Sequence, residues 1–427
     1  MDDQRAGGFS APTERPRIAQ PHKQLSRLQL IGLFLLICAV VTIEAQQNTW
    51  NQHLRVDVGE FWLRTERYLT FQLQGTEYPP FAMLYFLLLR WAEFTFPNVS
   101  FEKNFFVANY VLLGLHLALL NHLAGRRAAI IFGVLMLAAG SIILFRYELL
   151  VSFLTLLAWC AWRYNWSRCA GALLAAAILS KLYPLLLVPL FARPAIGADA
   201  RRQVSAIGTG LGLGLAAILL FFWFGGDPIS SFSGVLRFHD NKPVGLESTP
   251  AVLTMAFDAI RGAWPSHSVN EYSIHGLRLA APYRWLMQLG LLASLGALLY
   301  SYSRRGGGGN LILTAQAVLV ALIFWTTLFQ PQYLIWPAVF TALLPLTGLE
   351  ARRLYVTVGL FAVALASEQI VFPCHYTEFL AIFYEHRPAG ILIAAIAVGK
   401  IAVTALFVLA FRAAWNPPST ELVAPKD

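Results

Sequence analysis

Charge is scarce in this chain. Of 427 residues, 13% are Asp, Glu, Lys or Arg and 57% are hydrophobic, whereas soluble domains are about 25% charged. Such a sequence cannot cover itself with polar surface, which excludes an ordinary soluble fold. Cysteine is scarce too: Cys38, Cys160, Cys169 and Cys374 are all there are. The first three lie in or beside apolar runs, and no metal-type spacing appears, so neither a disulfide framework nor a zinc site is expected. No Walker or Rossmann glycine loop is present, which argues against a nucleotide-driven machine. No internal repeat and no cleavable leader are evident. His267, His275, His375 and His386 are dispersed and read as loop residues.

What the sequence has instead is a series of long uncharged runs, many near or above the roughly 18 residues of a spanning segment. A backbone in lipid must satisfy its own hydrogen bonds, so these are helices or barrel strands. Barrel strands alternate over about ten residues. The runs here are continuously apolar, and helices are expected. The net charge of +9 comes from basic residues that mostly flank these runs. That is the cytoplasmic anchoring pattern, and no nucleic-acid partner is expected.

The basic residues also orient the chain. Residues 1–27 are expected to form a cytoplasmic N-terminal tail, 28–411 a transmembrane domain, and 412–427 a cytoplasmic C-terminal tail. The first span is Leu28–Ala45. Outer loops are expected at 46–103 and 225–284, the first holding an interfacial helix at Phe81–Phe96 started by Pro79 and Pro80. Arg126 and Arg127 mark an inner turn. Segment Cys169–Phe191 reads as two half-spans broken near Pro184, because proline in a helix costs about 3 kcal/mol and a central lysine a further ~2.5–3.5 kcal/mol. Lys181 and Tyr183 then sit at an outer turn. The expected fold is an all-α transmembrane bundle of about twelve passes in a cell membrane.

This path gathers ionisable residues from four segments at the outer face: Asp57, Glu60, Arg146, Glu148, Lys181, Arg237, His239, Asp240, Lys242 and Glu247. Such groups at membrane depth usually face a cavity or a partner. Each also has a plainer reading. Asp57 fits an N-cap for an amphipathic helix, with Glu60 completing a capping-box-like pair; capping and catalysis are compatible. Arg146, Glu148 and Lys181 fit snorkelling boundary residues. Arg237-Phe-His-Asp-Asn-Lys-Pro fits a solvated loop, and Glu247-Ser248-Thr249-Pro250 a cap for a helix at Ala251. Gly208, Gly210, Gly212 and Gly214 alternate within one span and suggest close helix packing.

The order of certain motifs resembles the GT-C glycosyltransferases, and within them family eighty-seven. The motifs are Asp57, Glu77-Tyr78-Pro79-Pro80, Phe145-Arg146-Tyr147-Glu148, Lys181-Leu182-Tyr183-Pro184, Arg237-Phe238-His239, Leu246-Glu247-Ser248 and Gln330-Pro331-Gln332-Tyr333. The resemblance spans roughly residues 30–350. It implies an enzyme that moves a hexose, mannose by analogy, from a polyprenyl-phosphate sugar to a lipid or glycan acceptor outside the cytoplasm. Asp57 would then be the general base, with Glu60 and Glu148 next. A hydroxyl nucleophile needs such a base, and attack opposite the leaving group inverts configuration. Lys181, Arg237, Arg146 and His239 would hold the departing phosphate. Tyr78, Tyr183, Glu247 and Gln332 would line the substrate path. Membrane lipids are partners, and no obligatory metal or other cofactor is expected. A lipid-linked-sugar transporter or flippase, and a polysaccharide polymerase or ligase, are the competing readings.

Overall fold

The first helix begins where the sequence offers a cap. Ser26 accepts from the Gln29 amide at 3.3 Å, and the Gln29 side chain closes the capping box. The computed structural model describes residues 23–70, 78–192, 200–225, 245, 247–249, 251–252, 272–273, 276–277, 281–304, 309–327, 329–379 and 390–418. In chain order the helices are α1 (Arg27–Ala45), α2 (Asn48–Leu69), α3 (Pro80–Thr95), α4 (Phe101–Ala139), α5 (Ile142–Phe145), α6 (Glu148–Arg163), α7 (Ser167–Ile178), α8 (Val188–Phe191) and α9 (Ala200–Gly225). They continue as α10 (Ala281–Arg304), α11 (Gly309–Trp325), α12 (Ala338–Leu343), α13 (Ala351–Gln369) and α14 (Gly390–Trp415). Among the described residues the regular structure other than helix is a strand pair of two residues each, Tyr272–Ser273 with Gly276–Leu277.

This is a helical membrane protein. Six described helices are long and apolar enough to cross a bilayer: α1, α4, α9, α10, α13 and α14. Large apolar side chains such as Leu28, Leu213, Ile391 and Ile401 face outward, as a lipid environment permits. The expected count of twelve passes is not met by long helices among the described residues. Proline is the reason at several places, because it removes a helical donor and clashes with the preceding turn. Pro184 and Pro189 divide 183–191 into a 3₁₀ turn and the short α8. Pro331, Pro337 and Pro345 divide 331–347 in the same way around α12.

Two expected features are present in detail. The helix opened by Pro79 and Pro80 is α3, with Pro79 as N-cap. The turn expected before Arg126 falls inside α4, where Gly125 adopts φ 77° and breaks the helix in two; no membrane side is assigned to it by the structure. Such positive φ is easy only for glycine. The Arg126 amide donates to the Lys23 carbonyl at 2.8 Å, and Asn121 brackets the Leu25 backbone, so the segment before α1 is strapped across that turn.

Close packing of α9 uses half of the glycine row. Gly210 meets the Arg168 backbone, and a Cβ at Gly214 would lie 2.7 Å from Ala175 Cβ. Gly208 and Gly212 face open space. The contact is with α7, which runs in the same direction.

Candidate active site

Helix α2 carries Asp57, and polar contacts along its length fix its rotation. Near its start, Asn51 Nδ2 donates to the Glu44 carbonyl at 2.6 Å, and its Oδ1 accepts from the Ser141 hydroxyl at 2.8 Å. Glu44 accepts from the Ser141 amide at 2.9 Å. Further along, Arg55 pairs with Glu102 of α4. Near the end, Glu66 pairs with Arg90 of α3, which also binds Glu93 and lies over the Trp62 ring. Asp57 is therefore held against the junction between α5 and α6, where it forms an ion pair with Arg146.

The N-cap role for Asp57 is overturned. Helix α2 starts at Asn48, with Gln47 before it, so Asp57 lies in mid-helix. The stretch from Asn48 to Val56 contains no proline or glycine, and nothing in it stops the helix from reaching back to α1. Glu60 pairs with Arg64 at 3.6 Å and is 41% exposed.

Arg146 adopts extended backbone between α5 and α6. The chain needs that break to turn Arg146 toward α2 and to place Glu148 in the first turn of α6. There a buried carboxylate gains from the positive helix end. Glu148 forms an ion pair with Lys181. Lys181 follows the end of α7, in the break before Pro184. Its ammonium lies 5.1 Å from the Tyr147 ring centre, 5.2 Å from Tyr333 and 5.4 Å from Trp336. Tyr183 and Tyr333 stack on either ring neighbour of this cage, with Trp336 common to both at 4.3 and 4.1 Å. Tyr78 packs edge-on to Phe61, Phe86 and Tyr147.

Two ion pairs, Asp57–Arg146 and Glu148–Lys181, thus share one locus built from α2, the α5–α6 junction and the α7 end. Glu148 Oε2, Arg146 Nε, Trp336 Nε1 and Gln332 Oε1 are buried polar atoms without a hydrogen-bond partner in the structure. Gln332 is 2% exposed and donates to Gln330 Oε1 at 2.5 Å. Buried polar atoms are normally paired; Glu148 and Arg146 belong to the two ion pairs and Trp336 lies by Lys181, while Gln332 precedes Tyr333 in the chain.

Glu247 reaches the same region from the large loop. The Gly245 amide donates to the Thr327 carbonyl at 2.8 Å, and Ser248 Oγ accepts from the Ala251 amide at 3.3 Å, so Ser248 provides the expected cap. Glu247 itself is buried, with electrostatic contact to Glu368, Lys400 and Arg146. Burial, and then the Glu368 carboxylate, push its carboxyl up to about 8. Arg237 and His239 lie outside the described residues.

The model of glycosyltransferase family 87 matches residues 76–331. The chain belongs to glycosyltransferase family 87. It is a membrane glycosyltransferase. No curated protein matches the sequence. The family match includes Tyr78, Arg146, Glu148, Lys181, Tyr183 and Glu247, whereas Asp57, Glu60 and Gln332 lie beyond its ends. The ion pair to Arg146 is what joins Asp57 to the matched part.

Sequence reasoning missed Tyr147, Tyr333 and Trp336 as a cage, because aromatic residues near a membrane interface are common. It also missed Glu368 and Lys400, paired at 2.6 Å with both side chains buried. The signal was legible: a lone acid in α13 and a lone lysine in α14, each inside an apolar run.

Proposed function

We propose that this family 87 enzyme transfers a hexose, with mannose the first to test, from a polyprenyl-phosphate sugar to a hydroxyl of a lipid or glycan acceptor, on the extracytoplasmic side and with inversion. The observation that carries this reading is the shared locus of the Asp57–Arg146 and Glu148–Lys181 pairs. It offers a carboxylate for the proton and two cations for a departing phosphate.

The acceptor oxygen attacks the anomeric carbon, and the bond from that carbon to the phosphate oxygen breaks. Asp57 takes the hydroxyl proton as the new bond forms. Polyprenyl phosphate leaves with the bonding electrons, and Arg146 and Lys181 stabilise its growing charge. Glu148 holds Lys181 in place. The aromatic cage supplies flat apolar faces for the sugar or the first isoprene units, and Gln332 and Tyr78 offer hydrogen bonds to sugar hydroxyls. Arg237, His239 and Glu60 are proposed as supporting groups on the basis of their place in the sequence. A lysine and an arginine suffice for this leaving group, and the scheme uses no metal.

The test is transfer from radiolabelled polyprenyl-phosphate mannose to a membrane-extract acceptor by purified protein in lipid. Wild type should release polyprenyl phosphate. Asp57→Asn should lose about 10²–10⁴ in kcat with little change in donor binding. Equal transfer by both proteins removes Asp57 as the base. Movement of intact donor across the bilayer without phosphate release would establish the transporter reading instead, and dependence on a lipid-linked oligosaccharide would establish the polymerase reading.

A further inference from the structure

The reaction uses the end of α7 that leads into Lys181. The opposite end, twelve residues and about 18 Å away along the helix axis, borders a cleft for which the reaction has no use. This cleft encloses about 790 Å³ between the α6–α7 turn and the first turns of α9, with Trp166, Ser167, Arg168, Arg202, Gln203 and Thr209 in its lining. Its floor is built rather than accidental. Ser167 and Gln203 are buried, the Ser167 hydroxyl donates to Gln203 Oε1 at 2.5 Å, and Gln203 Nε2 donates to the Phe191 carbonyl at 3.5 Å.

Both guanidinium groups are at the exposed rim of the cleft. Neither of the lining stretches 164–170 and 200–210 contains an acidic residue, and Arg201 adds a third cation beside them. Asp199, one position before α9, lies outside the described residues, and three arginines outnumber it. The first turn of α7 has no side-chain cap, so its amide groups add to the positive potential.

The surroundings point to a lipid rather than a dissolved anion. Tyr164 and Trp166 are 43% and 67% exposed and touch at 6.2 Å between ring centres, as aromatic residues do at the level of headgroups. From the cleft an apolar track continues along α9. Gly208 and Gly212 face open space, one and two turns on from Val204, which is itself exposed, as is Leu213. These are the two glycines of the alternating row that take no part in packing against α7.

We propose that the cleft between the α6–α7 turn and α9 binds the headgroup phosphate of an anionic phospholipid, with Arg168 and Arg202 on the phosphate and an acyl chain along the Gly208–Gly212 face. Basic pockets between membrane helices bind anionic headgroups in this way. The site is separate from the glycosyl-transfer locus and rests on the membrane reading alone.

The experiment is native mass spectrometry of the full-length protein in detergent, titrated with phosphatidylglycerol, phosphatidylcholine or inorganic phosphate. Wild type should retain phosphatidylglycerol in preference to phosphatidylcholine. Arg168→Gln with Arg202→Gln should weaken phosphatidylglycerol binding about thirtyfold, in line with roughly 1 kcal/mol for each of the two basic residues. Gly208→Leu with Gly212→Leu, which blocks the track while leaving the cations, should weaken it as well. Equal retention of the two lipids by wild type, unchanged phosphatidylglycerol binding in the arginine variant, or full displacement of the lipid by millimolar phosphate would each overturn the proposal.

Discussion

Lys181 is bound to Glu148, and Glu148 is 1% exposed. Removal of the lysine alone leaves a buried charge unpaired, at a cost of about 3–5 kcal/mol, so a loss of activity in Lys181→Met would mix folding with chemistry. The double variant Lys181→Met, Glu148→Gln separates them. It should unfold near the wild-type temperature yet retain a kcat/KM for donor at least tenfold below wild type; recovery of donor use in the double variant would remove Lys181 from phosphate binding. Glu247 makes a different test. Its folded carboxyl lies near 8, above its ordinary 4.5, so the folded chain binds the extra proton between those values. Stability is then fully present below about 4.5 and is lost as pH rises through about 8. In Glu247→Gln, thermal unfolding followed from pH 5 to 9 should lose this part of the alkaline decline.

Helices α7 and α9 show what a small residue is for. A leucine at 214 has no room beside Ala175, whereas one at 212 meets open space. Gly214→Leu should lower stability by about 1–3 kcal/mol and displace Lys181 through α7, with reduced transfer, while Gly212→Leu should leave both unchanged. Thermal unfolding and the transfer assay read the difference. The glycine row was legible in the sequence as a packing signal, but the choice between its two faces was not, since it depends on which side of α9 meets α7. Proline fixed the start of α3 and the break before Tyr183 for a local reason that the sequence states directly. The start of α2 was not legible. Apolar periodicity begins at Val58, but helix α2 extends ten residues earlier under the hold of Glu44, Ser141 and Glu102, contacts that exist only after folding. The acids and bases of the candidate locus were legible one by one; their division into Asp57–Arg146 and Glu148–Lys181 pairs was not, for the same reason.

At the scale of the whole molecule, the locus exists only if its segments share one side of the membrane. Single cysteines at 57 and 181 should react with an impermeant thiol reagent from the same side, and cysteines at 126 and 202 from the other. This is measured in sealed vesicles with the native cysteines replaced. Reaction of positions 57 and 181 from opposite sides would dismantle the site. The ends of the bundle also matter to it. Helices α13 and α14 lie beyond the family match, yet their Glu368–Lys400 pair lies beside Glu247, and Gln369 reaches Glu44 at 3.5 Å. The last helices therefore brace the loop segment and the end of α1 at once.

The embrace of Asp57 by Arg146 has a kinetic meaning. In the proposed reaction the guanidinium that would steady the departing phosphate is the one already paired with the proposed base. Under that proposal an incoming phosphate would compete with Asp57 for Arg146 and release the carboxylate. On the proposed scheme the donor thus arms the base that its own transfer needs, which favours donor-first binding.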